Sequence, residues 1–248
     1  MRITHNIVIQ RYTIMPRSIP EPLTHFYNAD NNIYEIGIDE AGRGPLFGRV
    51  YTAAVILPKE SSFEFNKMKD SKKFSSESKI NEVAEYIKVN ALAWSVTYND
   101  ETVIDSINIR QAVLSSMHQS IKQVISNNNN NNKNKTDIHV NNGYFLLVDG
   151  NDFKPYMVFQ DDKYSCVPHV CIEGGDNKYC SIAAASILAK TERDKYIQEL
   201  CEDNPELKER YNLDKNKGYG TKLHIEGIKT HGISKWHRKS YAPCKDYI

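Results

Sequence analysis

Apolar and polar positions along the chain fall into two alternating regimes. "YEIGID" (34–39) alternates weakly, and "RVYTAAVIL" (49–57) is almost wholly apolar or β-branched, as buried strands are. Gly42, Gly44, Pro45 and Gly48 supply the turn between them. "ALAWSVTYN" (91–99), "GYFLLVDG" (143–150) and "SCVPHVCIEGGD" (165–176) are three further strand segments. Between them the period changes. Ser75 or Ser76 can cap a helix whose apolar face is Ile80, Val83, Ala84 and Ile87. Residues 100–126 repeat Ile107, Val113, Leu114, Met117, Ile121, Val124 and Ile125 near helical spacing. The Ala/Ser-rich start of "CSIAAASILAKTERDKYIQELCE" predicts a helix packed closely on a sheet. After "NP" come a glycine turn, "KGYG", and one more helix, "TKLHIEGIKTHG". Three strands, a helix, two strands and a helix describe an α/β fold with a mixed sheet.

Two stretches stand outside this pattern. Residues 1–33, punctuated by Pro16, Pro20 and Pro22, read as a poorly ordered extension ahead of a domain spanning 34–248. Asn127 to Asn132 open an Asn-rich insertion over 126–142. A polar tract of this kind has no apolar side chains to bury and is expected as a solvated loop.

Composition narrows the function less than the pattern does. The 248 residues carry 32 Lys+Arg against 31 Asp+Glu, a net charge of +1, so any nucleic-acid surface must be local. No apolar run reaches the roughly 18 residues of a membrane span, and a soluble, cytoplasmic monomer is expected. Five cysteines, an odd number without regular spacing, predict reduced thiols.

The chemistry gathers at strand ends. Asp39-Glu40, Asp149 and Asp176 each lie at or just past the end of an apolar segment, beside glycine. In α/β sheets such ends are where sites form. Neighbouring residues on a regular strand face opposite sides, so Asp39 and Glu40 can serve one site only if the strand ends and the glycine turn re-aims one of them. Clustered carboxylates without His or Cys suit Mg²⁺ or Mn²⁺ over Zn²⁺. Four of them can hold two such ions about 4 Å apart, the arrangement that cuts phosphodiesters. Any one of these acids alone is as well explained by a turn or a helix cap.

With "GIDEAGRGPLFG", "DSKK", "LLVDG", "GGD" followed by "SIAAASILAKTERD", "KGYGTKLH" and "HRKSYAP" in this order, the chain resembles the type 2 ribonuclease H family (ribonuclease HII), in its single-chain bacterial form. The resemblance implies a ribonuclease H-like fold: a five-stranded mixed sheet flanked by helices, with a helical C-terminal segment that binds substrate. It implies an endonuclease that hydrolyses the RNA strand of RNA/DNA hybrids and cuts 5′ of ribonucleotides embedded in duplex DNA, leaving 5′-phosphates, in ribonucleotide excision repair. Asp39, Glu40, Asp149 and Asp176 then become the catalytic and metal-binding acids. Gly42, Arg43 and Gly44 match the motif that grips the ribonucleotide, Tyr219 matches a tyrosine stacking on the next sugar, and Lys72 and Lys73 match a basic site for the backbone. The physics agrees. The 2′-hydroxyl separates RNA from DNA at one nucleotide, and glycine lets bare amides approach it.

Eight Lys or Arg and one acid between Lys215 and Lys245, interleaved with His224, His231, Trp236 and His237, predict a basic surface for a duplex. Cys166, His169 and Cys171 lack the second half of a zinc site. Two rivals share these observations: another nuclease on the same fold that cuts all-DNA substrates, and a catalytically silent module that binds hybrids.

Overall fold

The computed structural model describes residues 22–28, 30, 32–60, 62–131, 143–160 and 162–248. Five strands form one mixed sheet: β1 (Tyr34–Ala41), β2 (Val50–Ile56), β3 (Ala93–Asn99), β4 (Tyr144–Asp149) and β7 (His169–Ile172), in the order β3-β2-β1-β4-β7. β1 and β2 run antiparallel, as do β2 and β3. β4 lies parallel to β1, and β7 parallel to β4. The carboxyl ends of the three parallel strands therefore open on one edge.

Helices cover both faces. On one side α2 (Glu101–Asn131) packs Val113, Met117, Ile121 and Val124 onto Ile36, Ile38, Leu146 and Val148. On the other, α1 (Glu77–Asn90) and α3 (Cys180–Asp203) pack Ile80, Ile87, Ala184 and Leu188 onto Ala53 and Val55. The small residues at the start of α3 permit this approach. At Gly37 the backbone of Ser181 sits where a Cβ would stand, 2.1 Å from the Ser181 carbonyl carbon. Three short helices, α4 (Glu206–Tyr211), α5 (Leu213–Asn216) and α6 (Lys222–His231), follow. They close a third apolar cluster around Phe47, Ile197, Leu207, Tyr211 and Ile228.

The structure departs from the sequence reading in three places away from the site. The apolar run 165–172 is two strands, because Pro168 has no N–H to continue a ladder. β6 (Lys163–Cys166) pairs with β5 (Met157–Gln160) in a separate hairpin, and only His169–Ile172 joins the main sheet. α2 is broken at Asn108, which takes φ 65°, ψ 162° and accepts the Gln111 amide on Oδ1, so it caps a second helical segment. The Asn tract does not start a loop at 126. It prolongs α2 to Asn131, with Asn128 fully buried against the Tyr144 hydroxyl. Asn127 and Asn131 donate to the Trp94 and Leu92 carbonyls along the free edge of β3. A polar side chain is retained there because backbone acceptors answer it. Residues 132–142 lie outside the described residues.

The end of the extension is docked. Thr24 forms a bridge with Tyr179, Leu23 and Phe26 pack on the α1/α3 cluster, and the buried Glu35 carboxylate accepts the amides of Tyr27 and Asn28. Of the expected extension over residues 1–33, residues 1–21, 29 and 31 lie outside the described residues.

Candidate active site

β1 carries the first two acids. Ile36 and Ile38 face α2, so Gly37 and Asp39 face α3. The last recorded pair between β1 and β4 is Ile38 with Val148, which sets Asp39 and Asp149 level on neighbouring parallel strands. β1 does not end at Asp39, as expected, but runs on to Ala41. Glu40 nonetheless lines the same cleft, because the Gly42 turn brings Arg43 back to within 3.5 Å of its carboxylate. Gly42 has φ +91°, and a Cβ there would lie 2.2 Å from the Arg193 Nε, so only glycine fits. Asp176 follows left-handed Gly174 in a tight helical turn, and the Gly175 amide of that turn donates to Asp149 Oδ1 at 2.6 Å.

The cleft has a volume of about 470 Å³. Asp39, Glu40, Asp149, Gly42, Arg43, Gly44, Lys72 and Tyr219 all line it. Asp176 is buried beside it, 3.6 Å from the Lys72 ammonium. Lys73 does not line the cleft: its ammonium is bound to the Asn177 amide oxygen. Tyr219 is half exposed, its ring edge 3.8 Å from where a Gly44 Cβ would be. A larger groove of about 700 Å³ at the β3 edge has no carboxylate in its lining.

Electrostatically the acids are under stress. Burial, then Glu40 and Asp149, hold the Asp39 carboxyl well above the usual range. Burial raises Glu40, with Arg43 pulling the other way and Asp149 adding to the rise. Burial raises Asp149, relieved in part by the Gly175 amide and reinforced by Asp176. Burial works against the Lys72 charge, yet Asp176, Asp70 and Asp39 together raise its pKa. Among the described residues no three of these acids stand at metal-ligand spacing. Glu40 is turned to Arg43 and Asp176 to Lys72 and Asn177. Like charges facing a desolvated cleft settle on the nearest cations. The set is oxygen-only, and each raised carboxyl is one that a nearby positive charge would restore; both properties fit a hard dication.

Residues 36–244 match the sequence profile of the family described as Ribonuclease HII. The chain belongs to the ribonuclease HII family. Ribonuclease HII of Parabacteroides distasonis is 42% identical over 207 residues, covering 84% of this chain and 89% of that protein. Ribonuclease HII of Christiangramia forsetii is 39% identical over 226 residues, covering 91% and 98%. The fold is shared with ribonuclease H2 of Pyrococcus horikoshii, with a TM-score of 0.62 at 18% identity over 87% of this chain and 97% of that one. It is shared too with Bst ribonuclease HIII determined in complex with Mn²⁺, with a TM-score of 0.60 at 16% identity over 88% and 70%. The ribonuclease HII chain is thus a ribonuclease H enzyme, acting on the RNA of RNA/DNA hybrids.

Several residues around the ribonuclease HII cleft carry no signal in the sequence. Ser186 lines it, interacts with Asp39 and meets the Ser71 hydroxyl at 3.1 Å. Its only mark was a place on the α3 face that turns toward the sheet. Arg193 is buried beneath the turn, donating to the carbonyls of Lys217 at 2.8 Å and Phe47 at 3.4 Å. Lys190 lines the cleft and pairs with Asp194. The basic surface at the C-terminus needs correction. Lys215 and Lys217 face the cleft, but Arg238, His224 and His237 are wholly buried and are not available to a duplex. Interleaved histidine and arginine gave no sign of which would point inward.

Proposed function

We propose that the cleft cuts the phosphodiester 5′ of a ribonucleotide, in RNA/DNA hybrids and at single ribonucleotides within duplex DNA. One observation carries this reading. Three of the four acids share a single cleft with the Gly42–Gly44 turn and Tyr219. Asp39, Glu40, Asp149 and Asp176 would hold the metal, two ions of Mg²⁺ or Mn²⁺ in the active complex. Bound there, such ions supply the Lewis acidity and charge neutralisation that phosphodiester hydrolysis requires.

The chain's own residues do the rest. The turn presents backbone with no side chain at Gly42 and Gly44, so a sugar can approach it closely. Arg43 keeps half its surface in solvent and offers a planar fork for phosphate or sugar oxygens. The Tyr219 face, next to Gly44, packs against the following sugar, where an added hydroxyl would crowd it. Lys72 reaches into the cleft from the Asp70–Lys73 turn, held by the Lys72 amide on Asp70 Oδ1 at 2.9 Å, and is placed for the backbone. Lys73 is held instead by the Asn177 amide oxygen. Cytoplasmic repair of misplaced ribonucleotides by a monomer is the setting this chemistry serves.

The test is a set of matched duplexes with no, one or many ribonucleotides, incubated with Mg²⁺ and Mn²⁺ in turn. Cleavage should need a ribonucleotide. Asp39→Asn and Asp149→Asn should each abolish it while leaving duplex binding nearly intact. Full turnover by either variant in Mg²⁺, or cutting of the all-DNA duplex, would refute the reading.

A further inference from the structure

The two elements that would read the sugar, the Gly42–Gly44 turn and Tyr219, are 175 residues apart in sequence, and the Tyr219 ring edge lies 3.8 Å from where a Gly44 Cβ would be. Both are anchored on one buried dipeptide near the C-terminus, His237-Arg238. Residues 236–238 run antiparallel to residues 46–48, with the Gly48 amide on the Trp236 carbonyl at 2.8 Å and the Arg238 amide on the Leu46 carbonyl at 2.9 Å.

From this strap the Arg238 guanidinium reaches under the turn. Its Nη2 donates to the carbonyls of Gly42 at 2.6 Å and Arg49 at 3.2 Å, Nη1 to Arg43 at 3.0 Å, and Nε to Gly48 at 2.9 Å. No carboxylate is paired with it among the described residues' salt bridges; four carbonyls and the Tyr241 hydroxyl take its protons. Such a fork fixes the carbonyls, and hence the turn, in a way a point charge cannot.

The neighbouring imidazole reaches the other way, and its tautomer is dictated by its partners. The Ser234 amide donates to His237 Nδ1 at 2.9 Å, so Nδ1 is an acceptor and the proton sits on Nε2. His237 Nε2 lies 3.0 Å from His224 Nε2, which must therefore accept. The His224 proton is then on Nδ1, which donates to the Tyr219 carbonyl at 3.0 Å. A directional chain runs Ser234 amide, His237, His224, Tyr219. It leaves no donor facing a donor and no buried nitrogen unpaired.

We infer that His237 and Arg238 are positioning residues that lock the Gly42–Gly44 turn and Tyr219 to each other, so that discrimination of the sugar depends on a buried tie touching neither substrate nor metal. The inference rests on the proposed reading of the turn and Tyr219, and the experiment separates the two. His237→Asn keeps an acceptor for the Ser234 amide but falls short of His224. Arg238→Lys keeps the charge and loses the fork. His224→Leu removes the donor to Tyr219, and His224→Asn restores one near Nδ1. Full-length variants are assayed with Mg²⁺ on a duplex containing one ribonucleotide and on a continuous hybrid, alongside thermal unfolding.

His237→Asn, Arg238→Lys and His224→Leu should each lower the kcat/KM ratio between the two substrates by about tenfold, the scale of one buried hydrogen bond left unmade. His224→Asn should recover most of the loss. Tyr219→Ala should lower the ratio too, and His224→Leu added to it should lower the ratio no further. A merely structural role would depress the melting temperature and scale both substrates alike. That outcome in the two milder variants, His237→Asn and Arg238→Lys, with Tyr219→Ala still lowering the ratio, overturns the tie alone. An unchanged ratio in Tyr219→Ala overturns the reading site and the tie with it.

Discussion

Replacing Gly37 by Ala tests whether one close approach sets the geometry of the site. The added Cβ would lie 2.1 Å from the Ser181 carbonyl carbon, 2.2 Å from its oxygen and 2.5 Å from the Ile182 nitrogen. Ordinary contact begins near 3.4 Å, so β1 and α3 must separate by about 1.3 Å. Neither side yields easily. Gly37 is paired on both flanks, to Val55 and Leu147, and α3 is wedged by Ala183, Ala184 and Ile187. Overpacking of a close-packed interior costs about 1–3 kcal/mol, and three rigid backbone atoms put this case at the upper end. For a domain of this size about 3 kcal/mol lowers the melting temperature by about 6–12 °C. The functional cost is larger in proportion. α3 carries Ser186 against Asp39 as well as Lys190 and Arg193, so a shift near 1 Å moves one wall of the cleft past the other. Misplacement on that scale costs about 10²-fold in turnover. Calorimetry and single-turnover cleavage of a one-ribonucleotide duplex measure both. A Gly37→Ala protein that melts and cuts like the parent would show that α3 slides freely on β1, and the reasoning would be wrong.

Three further outcomes are expected. Burial, with His224 adding to it, lowers the His237 pKa from 6.5 to about 3. Below pH 6.5 the unfolded chain binds a proton that the folded chain refuses, so stability present above that pH is lost as pH falls toward 3. By pH 5 the loss is about 2 kcal/mol. The raised carboxyls act with the opposite sign, so urea unfolding of the parent is compared with His237→Asn at pH 7.5 and 5; an equal pH slope in both would refute this. Lys72→Ala and Lys215→Ala should each reduce the slope of log affinity against log salt by about 1, the contribution of one phosphate contact; an unchanged slope removes that lysine from the backbone path. Gly42→Ala forces a Cβ at positive φ into the buried Arg193 side chain, and cleavage of lone ribonucleotides should suffer more than cleavage of hybrids; equal loss on both would argue against a turn that reads the sugar.

The parts of this molecule governed by periodicity were legible in the sequence. Strand-like runs, the helix face of Ile80, Ala84 and Ile87, and the Ser76 cap all follow from local rules, and the structure has them. The place of Asp149 at the end of its strand was legible too, whereas β1 runs two residues past Asp39. What stayed hidden was set by distant partners. Nothing local distinguishes Arg238, buried under four carbonyls, from Lys239, whose amide is held on the surface by Asp105. The β5–β6 hairpin was hidden because its two strands are short and largely exposed, with no long apolar run to mark them. The end of α2 was hidden because an asparagine's choice between helix and loop depends on whether acceptors lie beside it.

That helix end has a consequence for repetitive sequence. Four residues of helix advance about 6 Å and two residues of strand about 6.8 Å. Asn127 and Asn131 therefore meet Trp94 and Leu92 almost in step. A homopolymer suits this seam better than a unique sequence would, since sliding by one turn presents the same amide to the same kind of oxygen. The two amides thus occupy carbonyls at the start of the outermost strand of the sheet, where a second molecule could otherwise add its own backbone.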